Sequence, residues 1–279
     1  MKEQMITMIL RDGTGSGIVE CTLGMKNGIC YKIPRTRLAE ASKLRGITNN
    51  GIYILFGEDT ASSRKIAYIG KSSTIINRLN THKSLKDYWS EAVVFVTENN
   101  VLNPAHTSYI EYRLCEEAKK INKETNKYTI MNDQKPQNPN LSHAEEIVSD
   151  EFIDMIKILL SAMKYDVFDE YRIENNKNEG ILYLNIGGET LGKARLVDEG
   201  FLVLKGSKIR LTDHKIPSSL EKRYNEEINS SDILNGEYVC DHLFKSPSIA
   251  ALVLAGSSLN GREYWKNKDG KSLNELESE

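Results

Sequence analysis

Short apolar runs separated by polar turns dominate the first third of the chain. The clearest are 51–57 and 66–70, which are rich in β-branched and aromatic residues and are bounded by glycine. Such runs are typical of strands. The polar segment 58–65 between them predicts an antiparallel hairpin. In that hairpin Tyr53 and Tyr68 lie side by side on one face, close enough for their hydroxyls to share a ligand.

Helical spacing follows the hairpin in two places. Residues 75–83 come after good N-cap residues, and their pattern sets Arg78 and His82 four positions apart on one helical face. A longer helix is predicted over 105–122. Glu111 neighbours the apolar stripe of that helix near its first turns, where a carboxylate leans over the sheet.

The remaining strand candidates of the first half are short and apolar. A buried strand is predicted over 91–97, and a helix over 36–45. Three more strand candidates precede the hairpin, at 5–10, 18–22 and 28–33. These elements predict a small domain with a central, mainly antiparallel three-stranded sheet flanked by helices, preceded by a short β-rich extension.

The second half begins with a segment of linker composition. Residues 133–142 contain two prolines and several amides. A helix over 143–164 follows, then short strand candidates between glycines, a charged helix over 217–228, and a helix over 249–255 that Ser246 and Pro247 introduce. The expected fold is α/β of the α+β type, with a second mixed α+β domain. The expected boundaries are 1–48 for the extension, 49–135 for the small domain, 136–165 for the linker and helix, and 166–279 for the second domain.

Charge is unevenly distributed although the net charge is only −2. Residues 1–90 carry 14 Lys and Arg against 7 Asp and Glu, whereas residues 91–279 carry 23 against 32. A polyanionic partner is therefore drawn to the first domain, although such asymmetry also arises without functional meaning. The four cysteines show no metal or disulfide spacing, and no apolar run is long enough to span a bilayer. We expect a cytoplasmic protein with no membrane partner.

Six residues of the first domain form a chemically coherent set. A lone carboxylate can hold one hard divalent cation, with the other positions left to water and substrate oxygens. Arginine matches a phosphate bidentately, and a phenol near a cation or base can take a proton from water. Together they suit the hydrolysis of a phosphodiester with one metal ion. The six are Tyr53, Tyr68, Arg78, His82, Glu111 and Asn132.

These residues resemble the motif of the GIY-YIG nuclease family. Both name-giving tripeptides are intact, as Gly51-Ile52-Tyr53 and Tyr68-Ile69-Gly70. The helix arginine of the family matches Arg78, the residue four positions on matches His82, its metal-binding glutamate matches Glu111, and its late asparagine matches Asn132. Singly, each residue is explained as core packing or a solvated face. Six matches in order, at similar spacing, favour the resemblance, which covers residues 50–135.

The resemblance implies a nuclease that cuts DNA with Mg²⁺ or Mn²⁺ on Glu111. It implies Tyr53 as the general base, aided by His82. Tyr68 would position the water or the phosphate, and Arg78 would stabilise the pentacovalent phosphate.

The resemblance also implies that Asn132 orders the site. Lys71, directly after the second tripeptide, adds positive charge. One active site per chain favours either a homodimer or sequential nicking for a double-strand cut.

The C-terminal part resembles the domain of unknown function DUF4357, which follows certain GIY-YIG nucleases. The matching segments are 200–207, 244–251 and 256–265. The association implies a role in choosing the nucleic-acid target, although this half is acidic. Two alternatives to a DNA endonuclease stay open: a catalytically silent nucleic-acid-binding module, and a scaffold whose C-terminal domain binds another protein.

Overall fold

The chain folds into two compact units, and each is described by itself. The first comprises residues 1–122 and 127–169, and the second comprises residues 123–126 and 170–279. The computed structural model describes residues 3–59, 64–132, 136–170, 180–210 and 232–278, together with residues 216, 221, 224, 225 and 227–229.

A seven-stranded sheet forms the centre of the first unit. Its strand order is β1-β2-β3-β6-β4-β5-β7, and every neighbouring pair is antiparallel except β5 and β7, which are parallel. The strands are β1 Ile6–Leu10, β2 Val19–Leu23, β3 Gly28–Pro34, β4 Gly51–Glu58, β5 Lys65–Ser72, β6 Trp89–Thr97 and β7 Tyr128–Ile130.

Helices cover both faces of this sheet. One core, which includes Ile54 and Phe95 of the sheet, packs against the longer helices. The other, which includes Leu55 and Val94, packs against the shorter helices. Burial on both faces explains why the strand runs are continuously apolar rather than alternating. The helices are a 3₁₀ turn Arg35–Arg37, α1 Leu38–Ala41, α2 Ile75–Leu85, α3 Pro104–Thr125 and α4 His143–Ala162.

The α+β class predicted from the sequence is confirmed, as is the β4–β5 hairpin. The sheet is larger than the three strands expected, because the whole of β3 pairs with residues 91–97 of β6 and carries β2 and β1 with it. The three N-terminal strands therefore extend the same sheet. The predicted helix over 36–45 is wrong in length, since the α-helix ends at Ala41 and the chain continues in tight i to i+3 turns.

The second unit contains a five-stranded antiparallel sheet in the order β13-β10-β9-β8-β14, and a separate β11–β12 pair. The predicted helix over 249–255 is confirmed as α5, which Ser246 caps and the left-handed Gly256 closes. The predicted helix 217–228 lies largely outside the described residues. The elements are β8 Leu182–Ile186, β9 Glu189–Val197, β10 Gly200–Val203, β11 Ile233–Leu234, β12 Glu237–Tyr238, β13 His242–Phe244, α5 Pro247–Ala255, α6 Gly261–Tyr264, β14 Trp265–Lys266 and α7 Leu273–Glu277.

None of the helices in the described ranges combines the length and the apolar character needed to cross a membrane.

Candidate active site

Two glycines let the hairpin strands approach their neighbours closely. A Cβ on Gly51 would lie 2.6 Å from the carbonyl oxygen of Phe95 on the adjacent strand. A Cβ on Gly70 would lie 2.4 Å from both Cζ and the hydroxyl of Tyr53. Gly70 is the cross-strand partner of Tyr53, so the phenol ring lies across the β5 backbone where any side chain would displace it. The first and last positions of the two tripeptides are thus fixed by packing.

The two tyrosines share one face of the sheet, as predicted. Tyr68 pairs with Leu55 rather than with Tyr53, so the tyrosines are diagonal neighbours. Their ring centroids are 6.3 Å apart, and the rings are nearly stacked. Tyr53 is almost completely buried, at 1 % exposure, whereas Tyr68 is half-buried. The diagonal register therefore places Tyr68 in front of Tyr53 on the way to solvent.

Helix α2 brings two further predicted residues to Tyr53. Its buried residues include Ile75, Ile76 and Leu79, which hold the helix against the sheet. The next turn carries His82, whose Nε2 lies 2.7 Å from the Tyr53 hydroxyl.

Arg78 is the second of these residues. It lies one turn earlier on α2 and is exposed, and its Nε donates to the same hydroxyl at 3.3 Å. Because Arg78 and His82 are four positions apart on one helical face, both contact the same phenol oxygen.

Burial determines the protonation of this cluster. It raises the pKa of Tyr53, against the opposing influence of Arg78. It lowers the pKa of His82 to about 4, with Arg78 and Lys86 adding to the effect. At neutral pH the phenol is therefore protonated and the imidazole is neutral. Because Arg78 donates to the phenol oxygen, the phenol proton points to Nε2, and the imidazole proton is assigned to Nδ1. Nδ1 is buried and has no hydrogen-bond partner among the described residues.

Glu111 reaches the same strand edge from the other side of the sheet. One of its carboxylate oxygens lies 3.6 Å from Nζ of Lys71 on β5. That ammonium also donates to the hydroxyl of Ser108, one turn earlier on α3, at 2.5 Å. Burial raises the pKa of Glu111, and Lys71 opposes the shift. The carboxylate is thus partly desolvated and ion-paired with Lys71, and the charge of Arg78 also favours its ionised form.

Asn132 completes the edge of β5 where β7 stops. Strand β7 pairs with only residues 65–67 of β5, and Met131 N–H continues the pairing to the carbonyl of Ala67. The buried Asn132 side chain then pairs with the backbone of Ile69. Its Oδ1 accepts from Ile69 N–H at 3.0 Å, and its Nδ2 donates to Ile69 C=O at 2.7 Å. Lys119 of α3 donates to the Asn132 carbonyl at 2.7 Å. An amide side chain therefore substitutes for a strand partner.

An open cleft of about 760 Å³ lies at this edge. Three of the six predicted residues line it, namely Tyr68, Glu111 and Asn132, together with Lys71 and Lys86. Of the other three, Tyr53 and His82 are buried behind Tyr68, and Arg78 reaches them from the exposed side of α2. The six residues thus form two groups. Tyr68, Glu111 and Asn132 line the cleft, and Arg78 and His82 meet at the hydroxyl of Tyr53 behind Tyr68.

Lys86 is a residue that the sequence analysis missed. Its Nζ lies 3.6 Å from the centroid of the Tyr68 ring, a cation–π contact, and its charge contributes to the low pKa of His82. The spacing contains a signal for it, because Arg78, His82 and Lys86 follow one another at intervals of four. Ser108 and Lys119 were also missed, and no sequence pattern distinguishes them.

The donor set of the cleft suits only one kind of metal ion. No cluster of three or more His, Cys, Asp or Glu side chains with metal-binding geometry occurs among the residues that the structure describes. A single carboxylate fits a magnesium-type ion that keeps several waters and binds substrate phosphates. Glu111 is such a carboxylate, although its present partner is the Lys71 ammonium. A cation would therefore have to share Glu111 with Lys71 or displace it.

The fold defines the chain as an α+β protein with two compact units, the first of which carries the cleft. A family model described as "Domain of unknown function (DUF4357)" matches residues 182–277. The predicted resemblance of the C-terminal part is confirmed, and the match lies within the second unit. Searches against curated proteins and solved structures give no match.

Proposed function

We propose that the first unit is a GIY-YIG-type DNA endonuclease that hydrolyses phosphodiester bonds at one metal-dependent site. The observation that carries this proposal is the convergence of distant residues at the edge of β5 beyond the end of β7. Arg78 and His82 meet Tyr53 on one side of the sheet, and Glu111 meets Lys71 on the other. A structural core has no need of this combination of a phenol, a guanidinium and a half-buried carboxylate beside an open cleft.

Glu111 would hold the Mg²⁺ or Mn²⁺ ion. When bound, such an ion supplies Lewis-acid stabilisation of charge on phosphate oxygens. Arg78 is exposed and beside the site tyrosines, so it can neutralise charge that develops on the phosphate. Lys71 and Lys86 line the cleft and add two cations for the substrate backbone.

The Tyr53–His82 pair supplies a route for a proton. Neutral His82 can accept the phenol proton at Nε2 as the Tyr53 oxygen takes a proton from water, so that the two transfers balance. Arg78 stabilises the phenolate character that develops during the transfer. Because Tyr68 lines the cleft and Tyr53 is buried behind it, Tyr68 is the better placed of the two to contact the phosphate, and the water that gives its proton to Tyr53 would have to lie between the two phenols. We therefore assign Tyr68 to positioning and Tyr53 to proton acceptance.

A catalytically silent nucleic-acid-binding module is the alternative. The surplus of Lys and Arg in residues 1–90 would serve such a module equally well. A module without catalysis has no use for a carboxylate in the cleft, since a carboxylate repels phosphate. The half-buried Glu111 favours the enzyme for that reason.

Cleavage of supercoiled plasmid with Mg²⁺ or Mn²⁺ tests the proposal. We expect the wild-type chain to nick the plasmid, and Glu111→Ala to reduce the rate at least 100-fold. Glu116→Ala is the matched control, because Glu116 lies on the same helix five positions further on and does not line the cleft. DNA binding without cutting in either metal would favour the silent module. Equal rates for Glu111→Ala and wild type would overturn the assignment of the metal site.

A further inference from the structure

Exposed apolar side chains concentrate at one end of the seven-stranded sheet. Strand β1 is the terminal strand of that sheet. Of the twelve large hydrophobic residues that are exposed among the described residues, five lie in β1 or beside it. Exposed apolar side chains gathered along one strand in this way mark an interaction site. The five are Met5, Met8, Ile9, Leu10 and Met25.

Strand β1 also lacks the features that protect edge strands from pairing. Natural edge strands are usually interrupted by a charge, a proline or a bulge. The five residues Ile6–Leu10 include no charged residue and no proline, and they pair with β2 in unbroken register. The strand is therefore free to add another strand along its outer edge.

The hydrogen bonds to β2 show which residues of β1 have backbone N–H and C=O groups on the outer edge. The carbonyl of Met5 accepts from Gly24, and the N–H of Arg11 donates to Ile18, so the odd-numbered residues face β2. In an antiparallel ladder the alternate residues point the opposite way. Ile6, Met8 and Leu10 therefore direct their N–H and C=O groups outward, away from the rest of the sheet.

We propose that a second copy of this chain pairs antiparallel along β1, with the two-fold axis at Thr7. Opposed residues must share a face of the sheet, so the axis has to pass through a residue rather than between two residues. An axis at Thr7 sets Met5 opposite Ile9 of the second copy, and Ile6 opposite Met8. It forms about eight ladder hydrogen bonds from the outward groups of both copies.

Charge complementarity selects this register and this partner. An axis at Thr7 sets Glu3 opposite Arg11 of the second copy, and symmetry repeats the pair. Arg11 donates from Nε and Nη2 to the buried Glu20, which leaves Nη1 for a second carboxylate. An axis at Met8 would instead place Met5 against Arg11.

The dimer has a consequence for the proposed nuclease, although the interface itself does not depend on that function. Strand β5 is the sixth strand from the interface in each copy. With strands about 4.8 Å apart, the two clefts would lie roughly 50 Å apart along the joined sheet. Two sites so far apart act on separate points of the substrate, so this dimer would cut both strands by sequential nicking.

Sedimentation of the full-length chain tests the interface. We expect a dimer for the wild type and a monomer for Met8→Pro, because the Met8 N–H points outward, so proline there removes an intermolecular donor and no hydrogen bond to β2. Met8→Lys should also give a monomer. Val101→Lys is the control, since Val101 is about as exposed as Met8 but lies in the loop between β6 and α3. A monomeric wild type, or a dimer that survives Met8→Pro with unchanged affinity, would overturn the proposal.

Cross-linking tests the register. Two cysteines at position 7 would face each other across the axis as a non-hydrogen-bonded pair, with Cα atoms about 4.5 Å apart, within reach of a disulfide. In a Cys240→Ser background, Thr7→Cys should form a covalent dimer on oxidation, and Ile9→Cys, on the same face, should not. Cross-linking through Met8→Cys in place of Thr7→Cys would overturn the register and the Glu3–Arg11 pairing.

Discussion

The hydroxyl of Tyr53 lies 2.7 Å from Nε2 of His82, and both side chains are buried. The imidazole is neutral at pH 7 because burial lowers its pKa, so its Nε2 accepts the hydrogen bond of the phenol. In the proposed mechanism the phenol proton moves along this hydrogen bond. This relationship supports separate roles for the two site tyrosines.

Removing either hydroxyl should separate those roles. Tyr53→Phe leaves the buried His82 Nε2 without its donor, and we expect a loss of about 1–3 kcal/mol of unfolding free energy. If Tyr53 accepts the proton, cleavage should fall by roughly 10²–10⁴-fold. Tyr68→Phe, at a half-buried position, should cost less than about 1 kcal/mol. Urea denaturation and plasmid nicking measure the two effects. Full cleavage by Tyr53→Phe would transfer the proton-accepting role to Tyr68.

The low pKa of His82 predicts a pH dependence of stability. The folded state holds this histidine neutral down to about pH 4, whereas the unfolded chain binds the proton near pH 6.5. The contribution of His82 to the free energy of unfolding is therefore fully present well above pH 6.5 and is lost as the pH falls toward 4. Between pH 7 and pH 5 this group should account for a loss of about 2 kcal/mol.

To isolate the effect of His82, the change in unfolding free energy between pH 7 and pH 5 is compared between variants. His82→Gln should show a smaller loss between pH 7 and pH 5 than the wild type. His143→Gln, at an exposed position, should behave as the wild type does. Parallel pH curves for His82→Gln and wild type would show that His82 is not held neutral by burial.

Gly70→Ala should disturb the site without touching a polar group. Its Cβ would overlap the Tyr53 ring, so the ring has to move away from His82, at a cost of about 1–3 kcal/mol. Gly15→Ala is the control, because open space surrounds Gly15 and its effect should stay within about 0.5 kcal/mol. Thermal unfolding and nicking measure the result. An unchanged stability for Gly70→Ala would mean that the strands adjust freely here.

Asn132→Ala should weaken the edge of β5. It removes the partners of both Ile69 backbone groups at a buried position, and we expect a loss of about 2–4 kcal/mol. Asn138→Ala, on the exposed segment nearby, should have little effect. Hydrogen exchange at the Ile69 amide is the direct readout, since that proton loses its acceptor. Unchanged protection of this amide would show that water or a neighbour replaces Asn132.

Much of the local structure was predictable because it depends on short-range chemistry. Hairpin β4–β5 follows from two apolar runs with a polar turn, and α5 follows from the Ser246 cap, Pro247 and Gly256. Helix α4 likewise begins at a capping box formed by Ser142 and Glu145. Each signal lies within a few residues of the element that it specifies.

The candidate residues could be chosen from their order and type, but the sequence did not show which of them are buried and which line the cleft. Nothing in the spacing distinguishes Tyr53, which is buried, from Tyr68, which lines the cleft. That difference follows from the strand register, which sets Tyr53 against a glycine and places Tyr68 diagonally in front of it. Lys86, directly after the end of α2, places its ammonium 3.6 Å from the centroid of the Tyr68 ring.

The sequence by itself determined the α+β class, the hairpin, the principal helices and the six candidate residues, since periodicity, caps and motifs are local properties. The tertiary structure decided that the N-terminal strands join the same sheet, that Glu111 faces Lys71, and that β1 ends the sheet with its apolar residues exposed. These features arise from pairings between residues far apart in the chain. Such pairings depend on which edges and faces remain available once the local elements have packed.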